Sequence, residues 1–283
     1  MQKSLSKKRQ LEYNLLLIAG ITLAALWLLP LVGVLMASLR PYSEIIDGWW
    51  RFDEFNISLK NYKFVLFETT IPMVRPLFNS LFSSFLGALI PAMFGTMAAY
   101  AFTRHKLPGK MVVTIVILCL MAIPGQMLAI PVFKRINSLG LLDTYTGVIL
   151  MNTVTSLPWI MFFMMNVIKS QSISIEEAAR IDGASEYGVF LHVVLPQSVP
   201  ALSSILILQF VWSWNSFFWP LIIIFDMNKL MATQVIPMLR GQFYTNWGAL
   251  SAAALLVMGI PILVFLSFQR TFIQGSVGFA DEK

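Results

Sequence analysis

The chain has 283 residues, of which 57% are hydrophobic and 12% are charged. Soluble domains contain about 25% charged residues, so this composition excludes an ordinary soluble protein and predicts an integral membrane protein. The formal net charge of +6 indicates basic residues that flank membrane spans, rather than a surface that binds nucleic acid. With Cys119 as its single cysteine, the chain cannot form an internal disulfide.

Six apolar segments are long enough to cross a bilayer as helices. The first follows the basic residues Lys7, Lys8 and Arg9 and contains 26 residues, whereas the apolar region of a cleaved signal peptide has about 7–15. We therefore predict that it is retained as a membrane span. The predicted spans are residues 14–39, 77–102, 111–133, 146–168, 201–225 and 247–268.

An even number of spans places both termini on the same side of the membrane. Basic residues are concentrated at the N-terminus and in the loop 104–110, and such clusters lie on the cytoplasmic side. Both termini are therefore predicted to be cytoplasmic, which makes residues 40–76, 134–143 and 226–246 the external segments. Residues 40–76 carry charges of both signs and are expected to hold short helices at the membrane surface.

Residues 174–196 form a polar segment between the fourth and fifth predicted spans. Ser174, followed three residues later by Glu177, predicts a capping box at the start of a helix over residues 175–182. Gly183 then predicts a left-handed turn that ends this helix.

A second short helix is predicted over residues 185–194, where apolar side chains recur on one face. Because Leu195 precedes Pro196, this helix is expected to stop there. Helices this short are marginal in water. The helix-turn-helix is therefore expected to pack on another surface.

The middle of every predicted span lacks Asp, Glu, Lys, Arg and His. Ion-coupled carriers commonly keep such groups as relays or ligands, so the sequence disfavours an ion-driven pump and an intramembrane enzyme. The two histidines, His105 and His192, lie in separate loops, and no metal site is expected. The sequence also lacks a G-x-x-x-x-G-K-[ST] phosphate loop, so no cofactor or nucleotide is expected on this chain.

Neutral polar and aromatic residues in the fourth and fifth predicted spans indicate a path for an uncharged solute. Aromatic rings stack on the apolar faces of sugars, and amides bond to their hydroxyl groups. The predicted pathway residues are Asn152, Trp212, Trp214 and Asn215. The residues alone leave an alternative open, in which the tryptophans anchor the span at the membrane interface and the polar groups bond to one another.

The polar segment also resembles a known signature. It reads Glu-Ala-Ala, three residues, Gly, nine residues, Val, one residue, Leu-Pro, which matches the EAA signature of ABC-importer permeases except that Val193 stands where isoleucine is usual. The form EAARIDGA, residues 177–184, resembles the maltose-type carbohydrate branch and its MalG-like subunit. Residues 139–150, 214–221 and 269–275 are similar to the same family.

This resemblance implies an all-α integral membrane protein with the type I ABC importer permease fold. Six transmembrane helices would carry a cytoplasmic helix-turn-helix, the EAA loop at residues 174–196, between spans four and five. The implied regions are an N-terminal part at 1–76, a core permease domain at 77–275 and a tail at 276–283. In the family the EAA loop couples the permease to an ATPase. The coupling residues implied here are Glu177, Ala178, Ala179, Asp182, Gly183, Val193, Leu195 and Pro196.

The resemblance further implies a set of partners. They are a second, unlike permease subunit, two ATP-binding cassette subunits that dock on the EAA loop, and an extracytoplasmic solute-binding protein that faces residues 226–246. ATP and Mg would be bound by the ATPase subunits. The expected location is the lipid bilayer of a bacterial or archaeal plasma membrane.

The predicted function is that of a permease subunit, itself not an enzyme, which passes a sugar or oligosaccharide delivered by the binding protein. An alternative within the family is a permease for a non-sugar solute such as glycerol phosphate. An anionic solute favours a basic residue in the cavity, and the predicted spans contain none. An ion-coupled secondary carrier and a membrane scaffold subunit are the alternatives outside the family.

Overall fold

A computed structural model describes most of the chain, namely residues 7–48, 50, 56–241 and 245–277. The regular structure of these residues is helical, apart from one isolated bridge between Arg240 and Thr245. Of the predicted tail 276–283, residues 278–283 lie outside the described residues. The helices are α1 Lys7–Ser38, α2 Tyr42–Asp47, α3 Lys60–Lys63, α4 Val74–Arg104, α5 Lys110–Met121, α6 Ala129–Ser138, α7 Tyr145–Ser170, α8 Ile173–Ile181, α9 Glu186–Val189, α10 Leu195–Trp214, α11 Phe218–Ile223, α12 Ala232–Met238 and α13 Trp247–Val277.

The chain divides into two compact units, and α13 contributes to both. The first comprises residues 1–70 and 239–256, and the second comprises residues 71–238 and 257–283. The regions predicted from the sequence, 1–76, 77–275 and 276–283, were defined by motifs and not by compact packing. That division stays a prediction.

In the first unit, hydrogen bonds connect the end of α1 with α3. The Asn61 side-chain amide donates to the carbonyl oxygens of Ser38 and Arg40 at 3.0 and 2.8 Å, and the hydroxyls of Ser38 and Tyr62 lie 2.8 Å apart. The segment after α1 contains the short helices α2 and α3, as the sequence predicts for residues 40–76. The apolar stretch of α1 is not buried within the chain.

In the second unit, α4, α7 and α10 pack together around a core of small and aliphatic side chains. Gly95 on α4 lies so close to α7 that a Cβ atom there would be 2.6 Å from Ile160 Cγ2. Elsewhere along the same three helices, the Gln209 amide on α10 donates to the Gly87 carbonyl on α4 at 3.1 Å. It also donates to the Ser156 hydroxyl on α7 at 2.5 Å. The helices are therefore joined by both apolar contacts and neutral hydrogen bonds.

Five single helices within the described residues are long and apolar enough to span a membrane, and a sixth span results if α5 and α6 are counted as one. The predicted third span, 111–133, falls on α5 and α6, and this pair is bent by 94° at the break between them. Pro124 lies in the break between α5 and α6 and has no N–H to continue the helical bonding. It is followed by a 3₁₀ turn, Gly125–Leu128, that leads into α6.

The predicted bounds of the fifth span, 201–225, differ from the structure at both ends. A continuous helix runs over Glu186–Trp214, so the second short helix does not stop at Leu195. In its π-helical turn the Leu195 N–H bonds to the Phe190 carbonyl. Pro196 follows this turn directly and has no N–H to donate. The helical hydrogen bond that it cannot make therefore lies where the π-helical turn returns to α-helix.

Candidate functional site

The turn between α8 and α9 has the geometry that the sequence predicts at Gly183. Gly183 has a φ of +89°, a value that glycine adopts at little cost. Its N–H bonds to the Arg180 carbonyl at 3.1 Å, and the Ala184 N–H bonds to the Ala179 carbonyl at 3.0 Å. These two bonds form a Schellman motif, which sets the direction in which the chain leaves α8.

The start of α8 differs from the predicted capping box. The helix begins at Ile173 with Ser172 as its N-cap, and no side chain caps it. The hydroxyls of Ser172 and Ser174 lie 2.7 Å apart and bond to each other. Ser174 therefore lies within the first turn and is not the cap. Glu177 is consequently exposed on the helix surface.

The predicted coupling residues separate into an exposed group and a packing group. Ala179, Val193 and Leu195 are partly buried and pack against the core of the second unit. The exposed members are Glu177, Ala178, Asp182, Gly183 and Pro196. Apolar side chains accompany them, since Ile181 is 86% exposed and Ile175 is 50% exposed. The loop thus presents an apolar surface with polar edges, which is the composition of a protein-docking surface.

On the opposite side of α8, Glu176 is buried against the end of α4. Its Oε1 atom accepts from Arg104 Nε at 2.8 Å and lies 2.7 Å from Arg104 Nη2. The two side chains are 1% and 8% exposed. Arg104 also donates to the Ile168 and Gln171 carbonyls at 2.7 and 3.1 Å. Glu177 was the glutamate predicted from the sequence, whereas Glu176 is the one whose carboxylate bonds the EAA loop to α4.

A second set of charges lies at the surface beside this pair. The Arg180 guanidinium donates to both carboxylate oxygens of Glu186, at 2.7 and 3.2 Å, and to the Tyr100 hydroxyl at 3.3 Å. Arg180 Nη2 also lies 3.6 Å from Glu176 Oε2. The hydrogen bond to Glu186 raises the pKa of Arg180 above its usual value. Arg180 thus connects both helices of the loop to α4.

A cavity of about 630 Å³ lies between the α5–α6 bend, α7, α10 and the start of α11. The aromatic part of its wall is formed by Trp159, Trp212 and Trp219. The ring centroids of Trp159 and Trp212 are 4.9 Å apart. Its polar wall residues are Gln126, Asn152, Thr155, Ser156, Gln209, Ser213 and Ser216. None of the described residues that line the cavity is charged.

The structure places two of the four predicted pathway residues at this cavity. Asn152 and Trp212 line it, and the Asn152 amide donates to the Ser213 hydroxyl at 2.9 Å. Trp214 is 1% exposed and donates from Nε1 to the Val257 carbonyl at 3.0 Å, so it joins α10 to α13. Residues two apart on a helix differ by about 200°, so Trp212 and Trp214 face different sides. Asn215 is exposed directly after α10 and is not among the described residues that line the cavity.

Trp159 and Gln209 were not predicted as site residues. Trp159 follows Pro158 in a long apolar segment, where a tryptophan gives no local sign of its partner. Gln209 is a buried amide in a predicted span. The cost of burying an amide predicts that Gln209 has hydrogen-bond partners, but it does not indicate that the residue faces a cavity.

The segment that follows α11, which is predicted to be external, is bonded by a side chain from the turn before α7 and by one from α4. Asp143 Oδ1 accepts from the backbone N–H groups of Phe225 and Asp226, at 2.5 and 2.8 Å. Asn79 on α4 donates to the carbonyls of Asn228 and Leu230 at 3.2 and 3.0 Å. Residues 225–230 therefore have a defined position on the second unit.

Comparisons with known proteins agree on one family. Residues 91–276 match the family described as "Binding-protein-dependent transport system inner membrane component". A probable ABC transporter permease protein from Pyrococcus horikoshii is 42% identical over 257 residues, which cover 91% of this chain and 93% of that protein. The arabinooligosaccharides transport system permease protein AraQ from Bacillus subtilis is 30% identical, over 89% of this chain and 90% of AraQ.

A solved structure has a similar fold. It belongs to a bacterial ABC transporter involved in the import of the acidic polysaccharide alginate. The TM-score is 0.81 at 23% sequence identity, with 95% of this chain and 99% of that chain covered.

Proposed function

This chain belongs to the family of inner-membrane components of binding-protein-dependent transport systems, and on that premise we propose that it is a permease subunit that passes a neutral sugar or oligosaccharide. The observation that carries this proposal is the cavity beside Trp159 and Trp212. Its tryptophans offer flat apolar faces, and its amides and hydroxyls offer hydrogen bonds. This combination suits a polyhydroxylated ring. A permease for arabinooligosaccharides among the relatives supports the same class of solute.

Energy would enter through the EAA loop. We place the ATPase contact on the exposed surface of α8 and its turn, around Ile181, Glu177 and Gly183. Two ATP-binding cassette subunits would bind ATP and Mg, and a second, unlike permease subunit would form the rest of the pathway. The solute-binding protein would deliver the sugar at the outer segment held by Asp143 and Asn79.

We also propose that the EAA loop and both termini face the cytoplasm. Arg104 contacts Glu176, so the basic loop 104–110 and the EAA loop lie at the same end of the second unit. Basic loops close to span ends lie on the cytoplasmic side.

The pathway is tested by Trp212→Ala in the complete importer, reconstituted in proteoliposomes with its ATPase and binding protein. The solute is the sugar that most stabilises the binding protein in a thermal-shift screen. We expect the sugar concentration for half-maximal uptake to rise about tenfold, which corresponds to about 1.4 kcal/mol of lost stacking.

Phe94→Ala is the matched control, because Phe94 is an exposed aromatic residue on α4 away from the cavity. It should leave uptake unchanged. Equal uptake by the Trp212 variant, the control and the unmodified importer would show that the sugar does not pass this cavity wall.

The glycerol phosphate alternative is less well supported. An anionic solute needs a compensating positive charge in a site of low dielectric, and the described lining residues include none. Uptake of glycerol phosphate, but of no sugar, by the reconstituted importer would favour that alternative.

A further inference from the structure

The ion pair between Arg104 and Glu176 is more deeply buried than its position at the end of a span requires. Burying two charges costs several kcal/mol per ion, and their attraction often does no more than offset this. An apolar pair of similar volume is commonly as stable. Stability alone therefore explains a charged pair at this place poorly. A fixed geometry between two helices explains it better, because hydrogen bonds between charged groups are directional.

Arg104 joins three helices through one guanidinium group. It is the last residue of α4. It donates to Glu176 on α8, to the Ile168 carbonyl near the end of α7, and to the Gln171 carbonyl immediately after α7. The Gln171 side chain extends this junction, because its Nε2 donates to the Ser198 hydroxyl on α10 at 2.9 Å.

Tyr100 gives α8 a second attachment to α4. Tyr100 lies four residues before Arg104, so both side chains are on one face of the helix. Its hydroxyl bonds to Arg180 on α8 at 3.3 Å and to Glu186 on α9 at 3.1 Å. The outer surface of α8 is free of these contacts and carries the exposed Ile181.

The helices that meet at this junction also reach the cavity. α7 is one helix from Tyr145 to Ser170. It therefore carries Asn152 and Ser156 at the cavity and Ile168 at the junction. Ser156 is bonded to Gln209 on α10, which in turn donates to the Gly87 carbonyl on α4.

We propose that Arg104 and Glu176 are positioning residues that transmit the movement of α8 to α4 and α7, and so connect the ATPase-docking surface to the solute cavity. This rests on the proposed function, because it needs an ATPase that moves α8. The pair does not touch solute or nucleotide. Its role is to make α8, α4 and α7 move together.

The test is Arg104→Gln in the complete importer, with three measurements. They are the amount of ATPase subunit retained during purification, ATP hydrolysis, and sugar molecules imported per ATP hydrolysed in proteoliposomes. We expect retention and basal hydrolysis to stay near the unmodified values, because the outer surface of α8 is unchanged. Sugar imported per ATP should fall about tenfold, within the usual range of coupling between two sites.

Lys106→Gln is the matched control. It removes a nearby positive charge that is exposed and lies two residues beyond the buried one. It should leave the sugar-to-ATP ratio unchanged.

A double variant, Arg104→Met with Glu176→Leu, addresses the risk that Arg104→Gln leaves Glu176 buried without a full partner and prevents folding. The double variant leaves no unpaired charge but also lacks the bonds from Arg104 to α7. We expect it to assemble and to show the same tenfold loss of coupling.

Normal coupling in an assembled variant would overturn the proposal. Failure of both variants to assemble would also overturn it, because the pair would then serve assembly and not transmission. If the unmodified importer binds no ATPase or imports no sugar, the proposed function itself fails, and the two failures are thereby distinguishable.

Discussion

Small residues determine how closely α4 can approach α7 and α10. A Cβ atom at Gly87 would lie 2.5 Å from the Ser213 hydroxyl, which is held by Asn152. A Cβ atom at Gly95 would lie 2.6 Å from Ile160, whose side chain is fully buried. Small residues at such contacts allow close packing of transmembrane helices. Here they also keep the carbonyl of Gly87 within reach of Gln209.

We expect Gly95→Ala to destabilise the protein by about 1–3 kcal/mol, the usual cost of overfilling a packed core. Ile160 is β-branched and buried, so it has few other rotamers to adopt. The measurement is thermal unfolding of the detergent-purified importer. Gly259→Ala is the control, because nothing lies within 4 Å of a Cβ atom there. An unfolding temperature for Gly95→Ala equal to that of the control would contradict the close contact.

At the scale of the element, the EAA loop depends on the direction in which the chain leaves α8. That direction is set by the left-handed backbone at Gly183, with open space around it. A substitution there is therefore opposed by backbone strain alone and not by a clash. A non-glycine residue in this conformation costs about 1–2 kcal/mol.

We expect Gly183→Val to lower the amount of ATPase subunit retained by about tenfold, as strain of about 1.4 kcal/mol moves the turn away from its docking geometry. The measurement is the ratio of ATPase to permease after affinity purification. Gly109→Val is a matched control, since Gly109 also has a positive φ, +73°, with nothing within 4 Å, and lies outside the EAA loop. Full retention by both variants would argue against a docking role for this turn.

At the scale of the whole molecule, the proposed ATPase-docking surface and the proposed solute cavity are formed by different groups of the described residues. The charged junction of Arg104, Glu176 and Arg180 lies at the end of the second unit, and the uncharged cavity lies among its helices. The sequence carries no phosphate loop of its own. In the proposed function, a partner ATPase therefore supplies the energy through the EAA loop.

Sugar uptake by the reconstituted importer should therefore require internal ATP and external binding protein, and it should be insensitive to collapse of proton and sodium gradients. An ATPase subunit that cannot hydrolyse ATP should reduce uptake to background. The measurement is labelled sugar retained in proteoliposomes. Uptake by this chain alone, driven by an ion gradient, would instead identify a secondary carrier.

The sequence predicted those features that depend on local chemistry. Gly183 could be recognised because only glycine adopts a positive φ without cost. The family could be recognised because the EAA signature is long, and the family match confirms it. The capping box was wrong because Ser172 and Ser174 are equivalent in type, and the packing of α8 against α4 decides which one precedes the helix.

Prolines show how little one residue type predicts about helix breaks. Pro91 and Pro158 lie inside α4 and α7, which continue through them. Pro124 lies at the 94° bend. Neighbouring helices determine whether the freed backbone groups can be satisfied in place, and the sequence alone does not show those neighbours.

The sequence by itself determined that this is a multi-pass membrane protein with a structured polar loop at residues 174–196, because hydrophobicity and the glycine turn are properties of short segments. Tertiary structure decided that Glu176 and not Glu177 is buried, and that Trp212 and not Trp214 meets Trp159 at the cavity. In both cases the residues are one or two positions apart on a helix. Each position rotates the side chain by about 100°, so the packing of distant segments decides which residue faces the site.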